Sequence, residues 1–402
     1  MSETHTKPPA PDAAASLAAE LASAPFVRLY AHADGDSLAA AGLLAGALNE
    51  RSRPFQVHVS TDPAGDIAEA NPDDDSLTLA VTRGQRAAAD HALPPASDSR
   101  PASVSAAAVS HELGVEADPL LGLAGVIASG SLPGTDGSGA LLEAAEQAGL
   151  LKRRPGVAIP TADVAEGLAC STLFEAPFSG DCEAVDAVLD DLGIATESTD
   201  LDEAARTRVA SRVALDVSTA ETATPAAAEA VETALRPYAT PGGPFATLGG
   251  YADVLSVLAC EQPGLAVSLA LGADLGDNAL DVWREHATAA HNALEGSTTG
   301  RYEGVVVLRV ETNRPAAVST VGRVADRFRS PEPVTFVVSA PIEGGRHTAL
   351  TASEPAGLGA VAAQVADEYG GQWGGTPTAA TIQVDGEISD SDLIAAVREA
   401  LG

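Results

Sequence analysis

Three side chains capable of chemistry stand together near the N-terminus. His32, Asp34 and Asp36 lie in the segment LYAHADGDSLAAAGLLAGAL, from Leu29 to Leu48. An apolar strand is expected to run into them and a small-residue helix to follow at once. In an open α/β sheet, ligands bind at the carboxyl ends of the strands, so this junction is where a reaction is expected. The competing reading is an ordinary capped turn, because Asp and Ser are common at helix starts. Two other groups invite the same question. Gly370, Gly371, Gly374 and Gly375 fall within six residues, with Thr376 next. Glycines at that density serve turns with positive φ, or let backbone amides approach a phosphate. Between Arg301 and Arg346 there are seven arginines and five acids, a local excess of +2 in a chain whose net charge is −33. Arginine is suited to phosphate, and neutralising phosphate is what a nucleic-acid groove must do. Arg327 and Arg329 are the candidate contacts; the alternative is that these arginines pair with the abundant acids. Trp373 can stack on a base or sit in a core.

The elements that must position these residues follow from hydrophobic periodicity. Phe26 to Ala31, Phe55 to Val59 and Leu77 to Val81 read as strands. Between the first two lies a helix through Leu38, Leu43, Leu44 and Leu48, with Ser37 as its expected cap. Strands alternating with helices predict a parallel sheet. Helices are expected over Ala13–Leu21, Val104–Leu113, Pro119–Ala128, Asp136–Leu151, Leu201–Leu215, Ala226–Leu235, Tyr251–Cys260 and Asn278–Leu294, and a strand over Leu265–Leu271. The segments Asn71–Asp75 and Pro94–Pro101 read as loop and turn, and Arg83–His91 is ambiguous. In the last hundred residues, strands at Gly304–Val310, Val334–Ser339, His347–Thr351 and Thr381–Val384 alternate with helices at Val318–Phe328, Ala356–Tyr369 and Asp390–Leu401. Gly370–Gly375 reads as a turn. Two Pro/Gly-rich stretches, Arg236–Gly250 and Glu295–Gly300, read as boundary and linker. The expected organisation is a tail over 1–24 (disordered or short helical), a parallel-sheet domain over 25–235, a helical connector over 236–300 and a smaller α/β domain over 301–402. The fold class is α/β, with two lobes across a cleft.

A chain of 402 residues exceeds what one core usually organises. Aromatics make up only 3% of it, so Ala, Val and Leu must build the interior. The 56 acids outnumber the 23 basic residues and are spread along the whole chain, and lysine is reduced to Lys7 and Lys152. This is the surface of a protein kept soluble by charge in concentrated salt, where the Debye length falls to about 3 Å at 1 M. Acidity therefore reports habitat more than partner. Cys170, Cys182 and Cys260 form no C-x-x-C pair, which argues against a zinc ribbon or redox motif and fits a reducing cytoplasm. No apolar run reaches membrane-spanning length, so no membrane role is expected.

HADGDSLAAAGLL, His32 to Leu44, resembles the first motif of the DHH phosphoesterases. GGQWGGTPTAA, Gly370 to Ala380, is similar to the glycine-rich signature of the DHH-associated domain. Together they resemble the archaeal RecJ-like group. The resemblance implies a DHH-type lobe facing a smaller lobe that grips single-stranded nucleic acid or another phosphate ester. It also implies two Mn²⁺ or Mg²⁺ ions, with two metals activating water and stabilising the leaving oxygen. One branch of the group rides on the replicative helicase, and its eukaryotic counterpart has lost catalysis. Residue by residue, His32, Asp34 and Asp36 match the first motif. The aspartate that closes the third strand in the second motif is Thr82. The third motif, Asp-His-His, is matched in part by Asp90, His91 and Ala92. The fourth motif's aspartate is Ser129, and the histidine of the C-terminal signature is Thr376. With two carboxylates missing, at most one weakly held Mn²⁺ or Mg²⁺ is expected at His32, Asp34 and Asp36, with Asp90, Asp136 or Asp163 as the carboxylates that could stand in. The resulting expectation is a RecJ-like protein with degenerate catalytic motifs, binding single-stranded nucleic acid and acting as a scaffold among replisome or repair proteins. The alternative is an active Mn²⁺-dependent single-strand exonuclease or phosphoesterase.

Overall fold

The computed structural model describes residues 11–70, 75–82, 89–93, 100–195, 201–342, 345–384 and 388–402. The expectations for the tail before Pro11, and the larger parts of those for Asn71–Asp75, Arg83–His91 and Pro94–Pro101, fall outside these residues.

After α1 (Pro11–Ser23), β1 (Phe26–His32) leads into α2 (Gly35–Glu50), then β2 (Phe55–Ser60), α3 (Pro63–Glu69), β3 (Ser76–Val81) and β4 (His91–Leu93). The sheet order is β2-β1-β3-β4, with all neighbours parallel. The short strand β4 is a finding: three residues carry too little periodicity to be read as a strand. Behind the sheet α2 is buried nearly all round, which its alanines and glycines permit. A Cβ on Gly35 would lie 2.7 Å from Ala128 Cβ, and one on Gly125 would lie 2.8 Å from Ala39 Cβ. Larger residues at these helix crossings would force the helices apart.

Helices α4 (Ala102–Glu112), α5 (Pro119–Ala128) and α6 (Gly139–Gln147) follow, then β5 (Lys152–Arg153), α7 (Val164–Cys170), α8 (Cys182–Asp191), α9 (Glu203–Thr219) and α10 (Ala227–Ala230), the last continued by a 3₁₀ turn at Val231–Ala234. The helix read from Asp136 begins only at Gly139, because Asp136 and Gly137 both have positive φ. Within 236–300, β6 (Tyr238–Ala239) pairs with β5, and α11 (Leu248–Glu261), α12 (Pro263–Ala270) and α13 (Gly276–Glu295) follow. The expected strand at Leu265–Leu271 is instead α12. A short apolar run does not separate strand from helix, and Pro263 opens this one at the first-turn position that proline favours.

The C-terminal lobe holds β7 (Thr298–Tyr302), β8 (Val305–Val310), α14 (Ala317–Phe328), β9 (Val334–Ser339), β10 (Arg346–Thr351), α15 (Leu358–Tyr369), β11 (Gly371–Gly375), β12 (Ala379–Val384) and α16 (Asp390–Leu401). The sheet order is β11-β12-β10-β9-β8-β7, with only β8–β9 parallel. Most of the linker read at Glu295–Gly300 is corrected: Thr298 to Gly300 begin β7, joined to β8 by the two-residue turn Glu303–Gly304, with Gly304 at φ 79°. The expected glycine turn is also corrected, since Gly371–Gly375 is the edge strand β11. Both faces of this sheet are covered, which is why β8 reads as an apolar run interrupted only by Arg309. Val305 and Val307 pack with α15 and α16, whereas Val306, Leu308 and Val310 pack with α14 in the same core as the first lobe. α14 is thus shared between the lobes.

Candidate functional site

The strand-to-helix junction brings His32, Asp34 and Asp36 to the carboxyl end of β1, as its sequence implied. What they do there is hold structure. Asp34, not Ser37, caps α2: its Oδ1 accepts from Ser37 N at 2.8 Å and its Oδ2 from Ser37 Oγ at 2.9 Å. Asp34 Oδ2 also bonds His32 Nδ1 at 2.8 Å. Burial alone would raise the Asp34 pKa; the bond and charge of His32 together with the Ser37 bonds outweigh it and hold the carboxyl below its ordinary range.

Asp36 is 3% exposed and turns away from the junction. Its Oδ2 accepts from Ala102 N at 2.7 Å, and its Oδ1 accepts from Ser103 N at 2.9 Å and Ser103 Oγ at 2.6 Å. It therefore caps α4 from another element, replacing the side-chain cap that Pro101 cannot supply. A carboxylate at a helix N-terminus meets both the free amides and the positive end of the dipole.

The other positions of the resemblance do not rebuild a ligand set. Thr82 is buried one step past the Ala31–Val81 pair, and its amide donates to Leu93 O. Ser129 ends α5 and returns its hydroxyl to Val126 O. Asp90 accepts from Thr78 N at 2.8 Å, and His91 Nε2 faces Glu20 of α1 at 2.7 Å. Asp90 stands just before β4 and His91 opens it, in a segment the sequence left ambiguous. Asp163 caps α7 through Glu166 N, and Asp136 lies in the loop after α5. Among the described residues no three His, Cys, Asp or Glu side chains converge as a metal set would. The residues present do not fit a pair of divalent ions. Both carboxylates of the one intact motif already accept from protein donors, and Thr82, just past β3 where the resemblance would place a carboxylate, offers a hydroxyl.

The glycine segment meets the junction directly. β11 runs along the loop after β2 so closely that a Cβ on Gly374 would drive into the Thr61 carbonyl, and it would lie 3.7 Å from His32 Nε2. Gly371, at φ 146°, has the same relation to the carbonyl of Gln383 on β12. Gly374 therefore lets β11 lie against the Thr61 loop beside His32, while Gly371 lets β11 pair closely with β12. Gly375 is buried, and a Cβ there would lie 2.7 Å from Ala380 Cβ; Gly370 is exposed where α15 ends. Thr376 Oγ1 accepts from Ala379 N at 3.1 Å, folding the turn into β12. Trp373 is half-buried against the second core.

The arginines divide. Arg301 pairs with Glu332, Arg309 with Asp390, Arg314 with Glu261 and Glu285, and Arg346 with Asp390. Arg329 grips the buried Glu175 and donates to Leu294 O at 3.2 Å. Its guanidinium is thus committed to tying α14 to the first lobe. Arg327 has no such partner among the described residues. No local motif announces the buried polar seam around α14. There His286 bonds Glu261 at 2.7 Å and Thr320 at 2.8 Å, and Arg323 donates to Thr172 Oγ1 at 3.2 Å. Asp253 accepts from Trp283 Nε1 and Thr172 N, both at 3.0 Å. These partners lie up to 151 residues apart, and only their unusual burial marks them.

Among the described residues no helix is long and apolar enough to cross a membrane. Residues 297–399 match a domain family described as "Uncharacterized protein rrnAC1427, C-terminal domain". Over its whole length the chain is 44% identical to the whole of the protein rrnAC1427 of Haloarcula marismortui. Among solved structures, CDC45 from Entamoeba histolytica superposes with a TM-score of 0.67 at 9% identity, over 97% of this chain and 99% of that one. RecJ from Thermus thermophilus, in complex with Mn²⁺, superposes with a TM-score of 0.50 at 14% identity, over 96% of this chain and 53% of that one. The fold is the two-lobed α/β fold of the DHH/RecJ-like superfamily.

Proposed function

This chain belongs to the family of the Haloarcula marismortui protein rrnAC1427, and from that premise we propose that it is a catalytically degenerate RecJ-like protein that binds single-stranded nucleic acid and serves as a scaffold in replication or repair. One observation carries the reading: Asp36, one of the three residues of the matched motif, engages both its oxygens at the start of α4. Freeing it would unsatisfy three buried donors, at about 1–3 kcal/mol each. Two further features support it. Thr82 stands where a bridging carboxylate is needed, and β11 packs against Thr61 beside His32. A two-metal mechanism needs ions about 3.5–4 Å apart, each with its own ligands, and among the described residues one histidine and two already engaged carboxylates are too few for two ions. The C-terminal lobe retains cationic groups in a strongly acidic chain, which is the favourable term for a phosphate backbone.

The test is incubation of the full chain with end-labelled single-stranded DNA and Mn²⁺ in concentrated KCl. The strand is expected to be bound and recovered at full length. Shortening of the strand that disappears in His32→Ala would establish the exonuclease instead.

A further inference from the structure

In a chain with 56 acidic residues, an arginine without a carboxylate needs a reason. Between Arg301 and Arg346, five of the seven arginines have an Asp or Glu within 4.0 Å; Arg323 and Arg327 have none among the described residues. The two lie one turn apart on α14, so their guanidinium groups share one face of the helix. That face looks across the seam into the first lobe. Arg323 Nη2 reaches Thr172 Oγ1 at 3.2 Å. Arg327 Nη2 comes within 3.8 Å of where a Cβ on Gly130 would stand, just past the end of α5. Gly130 has φ 88° and no side chain, so Arg327 lies against backbone there.

The neighbourhood is close to the motif of the first lobe. Cys260 donates to Ala33 O at 3.1 Å. Burial pushes its thiol up to about 11; the charge of Arg323 acts against that rise and the charge of Asp34 adds to it. Arg323 thus shares the surroundings of Cys260 with Asp34, and both arginines are half-buried.

Two like charges held together away from bulk water repel, and the cationic state suffers. Burial, and after it the charge of Arg323, holds the Arg327 pKa below its ordinary value against the pull of Asp326. Asp326 does not neutralise the pair, because its oxygens face Thr335 Oγ1 at 3.3 Å and Ser353 Oγ at 2.9 Å. What faces Arg327 from the first lobe is the negative end of α5, a partial charge only. The arrangement is incomplete without an anion.

We propose that Arg323 and Arg327 form an oxyanion site at the seam between the lobes, where one phosphate group is held by both guanidinium groups. The site itself stands on this geometry; that its phosphate belongs to a single strand rests on the function proposed above. A planar guanidinium holds phosphate through paired charge-assisted bonds, and two such groups side by side select a tetrahedral oxyanion over chloride.

The experiment takes the full chain in the salt it folds in and follows binding of a fluorescent oligothymidylate, with inorganic phosphate and thymidine 5′-monophosphate as competitors. Arg327→Gln is the cleanest variant, because that side chain has no hydrogen bond to lose among the described residues; its melting temperature is expected to hold or rise. Each arginine replaced by Gln should weaken the oligonucleotide about tenfold, the equivalent of one charge-assisted bond of about 1.4 kcal/mol. Arg327→Lys should recover part of the loss. If the strand binds the wild type and the Arg323→Gln/Arg327→Gln variant equally, the site is overturned while the nucleic-acid reading stands. If the strand does not bind but millimolar phosphate or the mononucleotide raises the melting temperature of the wild type above that of the double variant, the site stands and the strand reading falls. The comparison with the variant removes the general stabilisation that phosphate gives any protein. If no probe distinguishes the two proteins, the site is overturned.

Discussion

The two charged clusters at the seam contrast in one respect. His32, Asp34 and Asp36 look like chemistry in the sequence, yet every carboxylate oxygen among them accepts a bond from the protein's own amides, hydroxyls or imidazole. Arg323 and Arg327 look ordinary in the sequence, yet neither has a carboxylate within 4.0 Å among the described residues. The first cluster is spent on structure and the second is not. Residue type identifies where a site would fit the fold; hydrogen-bond satisfaction shows how far its groups are already engaged.

The contrast is sharpened by removing each group in turn. Asp36→Ala should have the largest effect, about 3–5 kcal/mol of unfolding free energy, because three buried donors at the start of α4 lose their acceptor; chemical denaturation in concentrated salt reads it directly. Asp36→Asn keeps one acceptor oxygen and should lose less. A wild-type-like Asp36→Ala would mean that this carboxylate is free for other work. Next comes Arg329→Ala at about 3 kcal/mol, since it strands Glu175, a carboxylate only 7% exposed, without its partner. The same measurement on Arg327→Gln should show no loss. Equal losses at the two arginines would erase the distinction between paired and unpaired charge. Gly374→Ala should cost about 1–3 kcal/mol by forcing β11 off the Thr61 carbonyl. It should also make His32 more accessible to diethyl pyrocarbonate, and unchanged labelling would show that β11 does not cover it.

The smallest effect is that of pH on Asp34. Its carboxyl is held below the ordinary range in the fold, so its ionised form stabilises the native state. That contribution is fully present above the unfolded-state value near 3.9 and is lost as pH falls through the lower folded value. Asp326 runs the other way. Burial raises its pKa against the bonds from Ser353 and Thr335, so ionisation above the unfolded value weakens the fold. Asp326→Asn should therefore leave the melting temperature unchanged in mild acid and unchanged or higher at neutral pH.

Much of the fold was legible because its signals are local. The strands β1, β2, β3, β8 and β9 are short β-branched or apolar runs, and α2 and α14 carry clear apolar positions. Where the expectation failed, local signals conflicted. Leu265–Leu271 has strand-like hydrophobicity but a proline at a helix start. Gly371–Gly375 has turn composition, but its glycines serve a strand pressed between β12 and the Thr61 loop. The site was half legible: the position of His32, Asp34 and Asp36 followed from the motif, but the commitment of Asp36 to α4 links residues 66 and 67 positions apart. The same holds for the arginines, where Arg329 meets Glu175 across 154 residues. Arg323 stood in the sequence among seven similar residues, and only the pairing of the others set it and Arg327 apart.

Every carboxylate oxygen of the first-lobe motif is engaged by the protein's own donors, which disfavours a metal there. Titrating Mn²⁺ into the full chain while following the free-ion paramagnetic resonance signal, for wild type beside His32→Ala, tests this most directly. Acidic surface residues will take up some Mn²⁺ in both proteins, so the difference between them is what counts. The two curves are expected to coincide; a stoichiometric site present in the wild type and absent from His32→Ala would contradict the assignment of these carboxylates to structure.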